Sequence, residues 1–272
     1  MGRGLCTIFL WSSYGVQYGV RVGDPSLIPE LMMRLPPESG PTNPSGVDSV
    51  FSFILGGRQG RIRNYHLLYW NHTSIARSHD LNDALDAFES FLRVTVASSA
   101  RGKVFVHAGV VGWRGRGILI PGRSHSGKTT LVKELLNAGA TYYSDEYAVL
   151  EGDGRVSAFA KPLSLRNEDG SPLIDVSAES IGGDIGKARL PVGLVVATEF
   201  ERDAHWRPRS LSSGQGLLVL LQNTPSARRS PARALVVLKR VVTMAAIVET
   251  KRGEAAHAAA QVLRQAEQIW TN

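Results

Sequence analysis

Cysteine is nearly absent from this chain: Cys6 is the only one in 272 residues. That excludes an intramolecular disulfide and a thiolate zinc cluster, and it fits a reducing cytoplasm, the expected location. Long apolar runs are missing as well. The stretch Cys6 to Trp11 is broken at Ser12-Ser13; it is too short to span a bilayer and poor as a signal-peptide core, so it reads as a buried strand and no membrane role is expected. Arginine is scattered from Arg3 to Arg264, with no dense Lys/Arg block and no basic-aromatic array. The net charge of +7 therefore favours anionic partners in general, while a specific nucleic-acid footprint is missing. No Asn/Thr-Lys-x-Asp guanine-reading motif is present, which argues against a GTPase switch, and no internal repeat is visible. Asn71-His72-Thr73 matches a glycosylation acceptor, but a cytoplasmic chain never meets that machinery.

What is present suffices for one large domain, or a domain with a smaller appendage. Residues 1–100 read as a small α+β region. Strands are expected at Thr7 to Trp11 and Gly19 to Val22, and a short helix at Leu27 to Arg34. A Pro/Gly-rich loop runs from Pro36 to Gly46. Val50 to Leu55 and Tyr65 to Trp70 read as hairpin strands around Gly56 to Gly60. A helix capped near Asp80 follows, with Leu81, Leu85, Phe88, Phe91 and Leu92 on one face.

From about Lys103 short strands alternate with helices, the mark of an α/β layer structure, so 101–272 is taken as a second domain. Its expected strands are Val104 to Val111, Gly117 to Ile120, Thr141 to Ser144, Arg155 to Ala160 (after a Gly152-Asp153-Gly154 turn), Leu194 to Phe200 and Ala245 to Glu249. Helices are expected at Lys128 to Asn137, from a Ser212/Gln215 capping box to Asn223, and at Ala232 to Val242 and Glu254 to Trp270.

Gly122-Arg123-Ser124-His125-Ser126-Gly127-Lys128-Thr129 fits the phosphate-loop pattern G-x-x-x-x-G-K-[ST] without departure. Glycine permits backbone angles that turn successive N–H groups inward, and the following helix directs its positive end at the same anion. Lys128 is expected on the β- and γ-phosphates of ATP and the Thr129 hydroxyl on magnesium; Thr130 completes the contact set. An apolar strand before the loop and an amphipathic helix after it supply the required context.

Asp145-Glu146 follows the strand Thr141 to Ser144. In a parallel sheet the carboxyl ends of neighbouring strands meet at the ligand crevice, so this pair should face the loop. Two adjacent carboxylates cannot point the same way. One can hold magnesium while the other accepts a proton from an attacking hydroxyl. His107 lies on the strand Val104 to Val111; by itself, a histidine among apolar residues reads as a core or surface residue.

His107-Ala-Gly-Val-Val, Gly117-Ile-Leu-Ile-Pro-Gly, the loop, Gly139 and Tyr143-Ser-Asp-Glu146 together resemble the catalytic half of the HPr kinase/phosphorylase family. That family belongs to the phosphoenolpyruvate-carboxykinase-like P-loop group. The resemblance is best over Lys103 to Arg166. The N-terminal part is similar to that of HPr-kinase-related proteins found with peptide-modification genes. It implies an α/β P-loop core with a small α+β N-terminal region, Lys128 and Thr129 on nucleotide and metal, Asp145 as base, and His107 assisting near the γ-phosphate. The family's second aspartate is Glu146 here, the expected metal ligand. Its later glycine-rich signature is replaced by Lys161-Pro-Leu-Ser-Leu-Arg166, which makes Lys161 and Arg166, with Arg123, candidates for phosphate or acceptor contacts.

The expected activity is ATP- and magnesium-dependent phosphorylation of a hydroxyl, a serine of a peptide or small protein being the acceptor by resemblance. A small-metabolite P-loop kinase and a non-catalytic nucleotide-binding protein are the rival readings. Association into a homo-oligomer is left open.

Overall fold

β1 (Thr7–Ser13) and β2 (Val16–Val22) pair antiparallel about Tyr14-Gly15, both at positive φ. Both strands outrun the apolar residues that predict them, because Ser13 and Val16 are also buried and continue the alternation. The computed structural model describes residues 7–43, 46–59, 61–124, 126–165 and 174–271. The protein is mixed α/β with several sheets, and the chain divides into two compact units, Met1–Arg101 and Gly102–Asn272.

In the first unit, a 3-10 turn at Pro25–Leu27 runs into α1 (Ile28–Met33), where one helix is expected. β3 (Gly40–Pro41) falls within the Pro/Gly-rich segment. Then come β4 (Ser49–Ile54), a small hairpin of β5 (Arg58–Gln59) and β6 (Ile62–Arg63), β7 (His66–Trp70), β8 (Thr73–Ser78) and α2 (Leu81–Ser99). The main sheet has the order β3-β1-β2-β4-β7-β8. β8 is absent from the sequence reading because only Ile75 and Ala76 of its six residues are apolar and none is fully buried; pairing with β7 makes it a strand. Asp80 caps α2 by accepting from the Asn82 N–H. Its Phe88 meets Phe51 and Phe53 edge-on, with ring centroids 5.2 and 5.4 Å apart.

The second unit runs β9 (Val104–Trp113), β10 (Arg116–Pro121), α3 (Lys128–Asn137), β11 (Thr141–Ser144), β12 (Tyr147–Leu150), β13 (Val156–Ser157), β14 (Leu163–Leu165) and β15 (Ile174–Val176). β16 (Val192–Phe200), β17 (Arg209–Ser210), α4 (Ser213–Gln222), α5 (Pro231–Met244), β18 (Ala246–Arg252) and α6 (Ala255–Thr271) complete it. The large sheet has the order β13-β12-β9-β10-β16-β18-β17, with β11 also on β9. β10, β16 and β18 are parallel neighbours, whereas β9 is antiparallel to β10, β11 and β12.

Alternation along these strands sorts the core onto two faces. Val106, Ala108, Leu119, Val195 and Ile247 pack towards α4 and α5; Val111, Ile118, Ile120, Leu194 and Val248 pack towards α3 and α6. Burial on both faces explains why the strands read as near-continuous apolar runs. α4 opens with the expected capping box, Ser212 with Gln215. Among the described residues, no helix is long and apolar enough to cross a membrane.

One expectation about strand direction is corrected. Asp145-Glu146 does not end a strand of a parallel sheet; the two acids form a bend between β11 and β12, which both lie antiparallel on β9. Ser144 pairs with Val110 and Tyr147 with His107, so the bend lies opposite Ala108 and Gly109. On the other edge of β9, Pro121 at the end of β10 pairs with Ala108, and the Gly122 N–H donates to the His107 carbonyl at 3.2 Å. The antiparallel β9 thus brings the acidic bend level with the point where β10 gives way to the Gly122–Thr129 loop.

Candidate functional site

α3 approaches β9 closely because Gly109 has no side chain. A Cβ at Gly109 would lie 2.7 Å from Val132 Cγ2. The helix starts at Lys128, preceded by Gly127 in the left-handed conformation at φ 79°, and no side chain caps it. The first-turn N–H groups are therefore left for another acceptor, and the positive end of the helix dipole points the same way.

Lys128 is buried, and its Nζ donates to the carbonyls of Gly122 and Arg123 at 2.9 and 2.7 Å. Burial lowers its pKa to about 8, an effect opposed by the charges of Asp145 and Glu146. The next residue, Thr129, donates its hydroxyl to Asp145 Oδ2 at 2.9 Å. Asp145 is buried as well, and the Tyr142 hydroxyl is 3.0 Å from its Oδ1 and 2.8 Å from the Lys161 carbonyl, one proton serving both acceptors in turn. Burial first, and then the Asp145 charge, hold the Tyr142 pKa above its ordinary value, so it stays a donor. Lys161 Nζ lies 3.5 Å from Asp145 Oδ1 and 3.7 Å from Glu146 Oε2. Glu146 keeps 21% of its side chain exposed, against 3% for Asp145.

His107 is half-buried on β9, its ring centroid 5.6 Å from that of Tyr147. Its pKa falls to about 4, through burial first and the nearby Lys128 charge second, with Asp145 pulling the other way. At neutral pH it is an uncharged imidazole, able to accept a hydrogen bond but not to supply a positive charge.

The fold thus gathers Lys128, Thr129, Asp145, Glu146, Lys161 and His107 around the start of α3. Arg123, Ser124 and Thr130 are exposed, and Gly122 and Ser126 are partly buried. His125 and Arg166 lie outside the described residues. The sequence reading missed Arg252, buried at the end of β18, whose Nη2 donates to the Ser126 and Gly127 carbonyls at 3.1 and 3.0 Å. A signal was there: Val248, Thr250 and Arg252 continue a period of two, and all three are buried.

Among the described residues, no group of three or more His, Cys, Asp or Glu side chains forms a metal position. Magnesium at a phosphate site needs only one or two protein oxygens, because phosphates and water supply the rest. The Thr129 hydroxyl and Asp145 carboxylate, 2.9 Å apart, fit that requirement.

No protein-family model matches the chain, and no curated protein matches it. Among solved structures, the Hpr(Ser) kinase/phosphatase from Coxiella burnetii is similar at 13% identity, over 61% of this chain and 97% of that one, with a TM-score of 0.36. At that distance the likeness decides neither activity nor site.

Proposed function

We propose that the chain is a magnesium-dependent phosphotransferase that binds ATP at the Gly122–Thr129 loop and phosphorylates a hydroxyl, with a serine of a peptide or small protein as acceptor. The observation that carries this reading is the Thr129–Asp145 hydrogen bond beside the uncapped start of α3. It supports a phosphate site and a magnesium site sharing two consecutive residues, Lys128 and Thr129.

In this reading the N–H groups at the start of α3 hold the phosphates, and Lys128 moves from the loop carbonyls to the β- and γ-phosphate oxygens. Thr129 and Asp145 would hold magnesium, which when bound neutralises charge on the triphosphate. Both Asp145 oxygens have protein partners, Thr129 and Tyr142, which suits a carboxylate held in one orientation beside a metal. Glu146, more open and next to Lys161, suits the proton acceptor. This exchanges the roles that sequence alone suggests for the pair. The acceptor hydroxyl gives its proton to Glu146 as its oxygen bonds to the γ-phosphorus and the bond to ADP breaks. Lys161 orients the acidic pair, and neutral His107 accepts a hydrogen bond near the transferred group.

Calorimetry and a phosphorylation assay on a panel of serine peptides test the assignment. Asp145→Asn should lose magnesium-dependent ATP affinity. Glu146→Gln should bind ATP normally and transfer roughly 10²- to 10⁴-fold more slowly. Normal transfer by both variants would remove the acids from the mechanism, and a wild-type protein that binds no ATP would end the proposal.

A further inference from the structure

We infer that Arg252 is a positioning residue that aims the backbone N–H groups of Gly127 and Lys128 at the bound phosphates. The inference rests on the nucleotide-binding reading above. Arg252 ends β18, on the sheet face that carries Val248 and α3. Its guanidinium spans two successive carbonyls, those of Ser126 and Gly127. In a trans peptide unit the C=O and the following N–H point in opposite directions. Arg252 fixes the Ser126 carbonyl and shares that of Gly127 with the Leu131 N–H, which donates to it at 3.1 Å, and this turns the N–H groups of Gly127 and Lys128 away from the guanidinium. Those two groups open α3, so the anchor selects the side on which the helix start presents its donors.

Gly127 takes part for two reasons. Its φ of 79° is one that side chains rarely adopt, and a Cβ there would lie 2.4 Å from Arg252 Nη2. The arginine is also held from behind, with Cζ 5.6 Å from the Phe200 ring centroid. Among the described residues, Arg252 forms no ion pair with a carboxylate, although the Glu254 charge acts on it from a distance. A buried cation lacking a counter-ion within reach is costly by itself, and a polyanion at the loop offsets that cost. Arg252 therefore favours phosphate binding through charge as well as through loop geometry. Both bonds come from Nη2, and lysine would keep the charge but lacks the rigid planar guanidinium that holds that nitrogen between the two carbonyls.

Full-length Arg252→Lys and Arg252→Met test the inference. Kd for MgATP should rise roughly tenfold in Arg252→Lys and up to about a hundredfold in Arg252→Met, corresponding to the loss of one charge-assisted interaction or more. KM for ATP should rise in step while kcat at saturating ATP stays within a few-fold, a split that a merely structural role would not produce. Independently of ATP, the Gly127 and Lys128 amide resonances should move in both variants before nucleotide is added. Unchanged amide resonances overturn the positioning role whether or not the chain binds ATP. Affinities within twofold of wild type overturn it as well, and so does loss of folding in both variants, which would assign Arg252 to the core alone. A wild-type protein without ATP affinity, but with the amide shifts as expected, would instead discard the nucleotide reading and leave the loop anchor standing.

Discussion

Burial brings the Lys128 pKa down to about 8, so the protein's own groups set a pH limit on phosphate binding. Only the ammonium form pairs with phosphate. Before ATP is added, Lys128 is mostly charged at pH 7 and increasingly neutral above pH 8, while a bound triphosphate raises its pKa again. ATP affinity should therefore fall as pH rises through 8, by up to about tenfold per further unit. Binding near pH 8.5 should take up a proton, which calorimetry in buffers of different ionisation enthalpy detects. A flat affinity from pH 7 to 9.5 would contradict this. Lys128→Ala should weaken ATP by about 1.5–3 kcal/mol, roughly ten- to a hundredfold. His107, with its pKa lowered to about 4, keeps its charge state unchanged between pH 6 and 8. The turnover profile should show no inflection from it near 6.5, and His107→Ala should lower kcat while ATP affinity stays within a few-fold. Full specific activity with a lower melting temperature would make it a packing residue only.

Among the elements, the α3–β9 contact decides where Lys128 and Thr129 stand. Gly109→Ala places a Cβ 2.7 Å from Val132 Cγ2, and overpacking of this kind costs about 1–3 kcal/mol. Because α3 carries both site residues, ATP affinity should fall with stability. Adding Val132→Ala removes the clashing methyl and should recover much of both losses, a non-additivity read from a denaturation and calorimetry cycle. If ATP affinity does not respond to Gly109→Ala, the close approach does not position the site. Ser212→Ala is the contrast. It removes the capping box of α4, an element packed on the opposite face of the sheet. That loss should cost about 1 kcal/mol and leave ATP affinity unchanged.

For the molecule as a whole, every residue assigned to the site falls within Gly102–Asn272, while Met1–Arg101 closes its own core around α2 and the six-stranded sheet. Calorimetric unfolding should therefore resolve two transitions, only one of them responsive to nucleotide. At a hundred times Kd, MgATP should stabilise that unit by about 2.7 kcal/mol. Trypsin fragments identified by mass spectrometry assign each transition. A nucleotide shift confined to the Met1–Arg101 transition would place the binding site elsewhere.

Several features were legible from residues alone because their causes are local. The bounds of α3, Lys128–Asn137, are those expected from the loop before it and the glycine after it. The capping box at Ser212 and Gln215 needs only four consecutive residues, and the Asp80 cap only three. Other features depend on distant neighbours. β8 exists because β7 pairs with it, and β18 runs to Arg252 because β16 carries the ladder to Phe200. The acidic pair could be found by its spacing from Lys128, but local sequence cannot say which acid meets Thr129. That follows from the bend at which β11 passes into β12 along β9, where a one-residue change of register would exchange the two side chains. Arg252 reaches the loop across a separation of 125 and 126 residues. Local propensity shaped the loop and its helix, while strand register, a long-range property of the sheet, decided which side chains surround them.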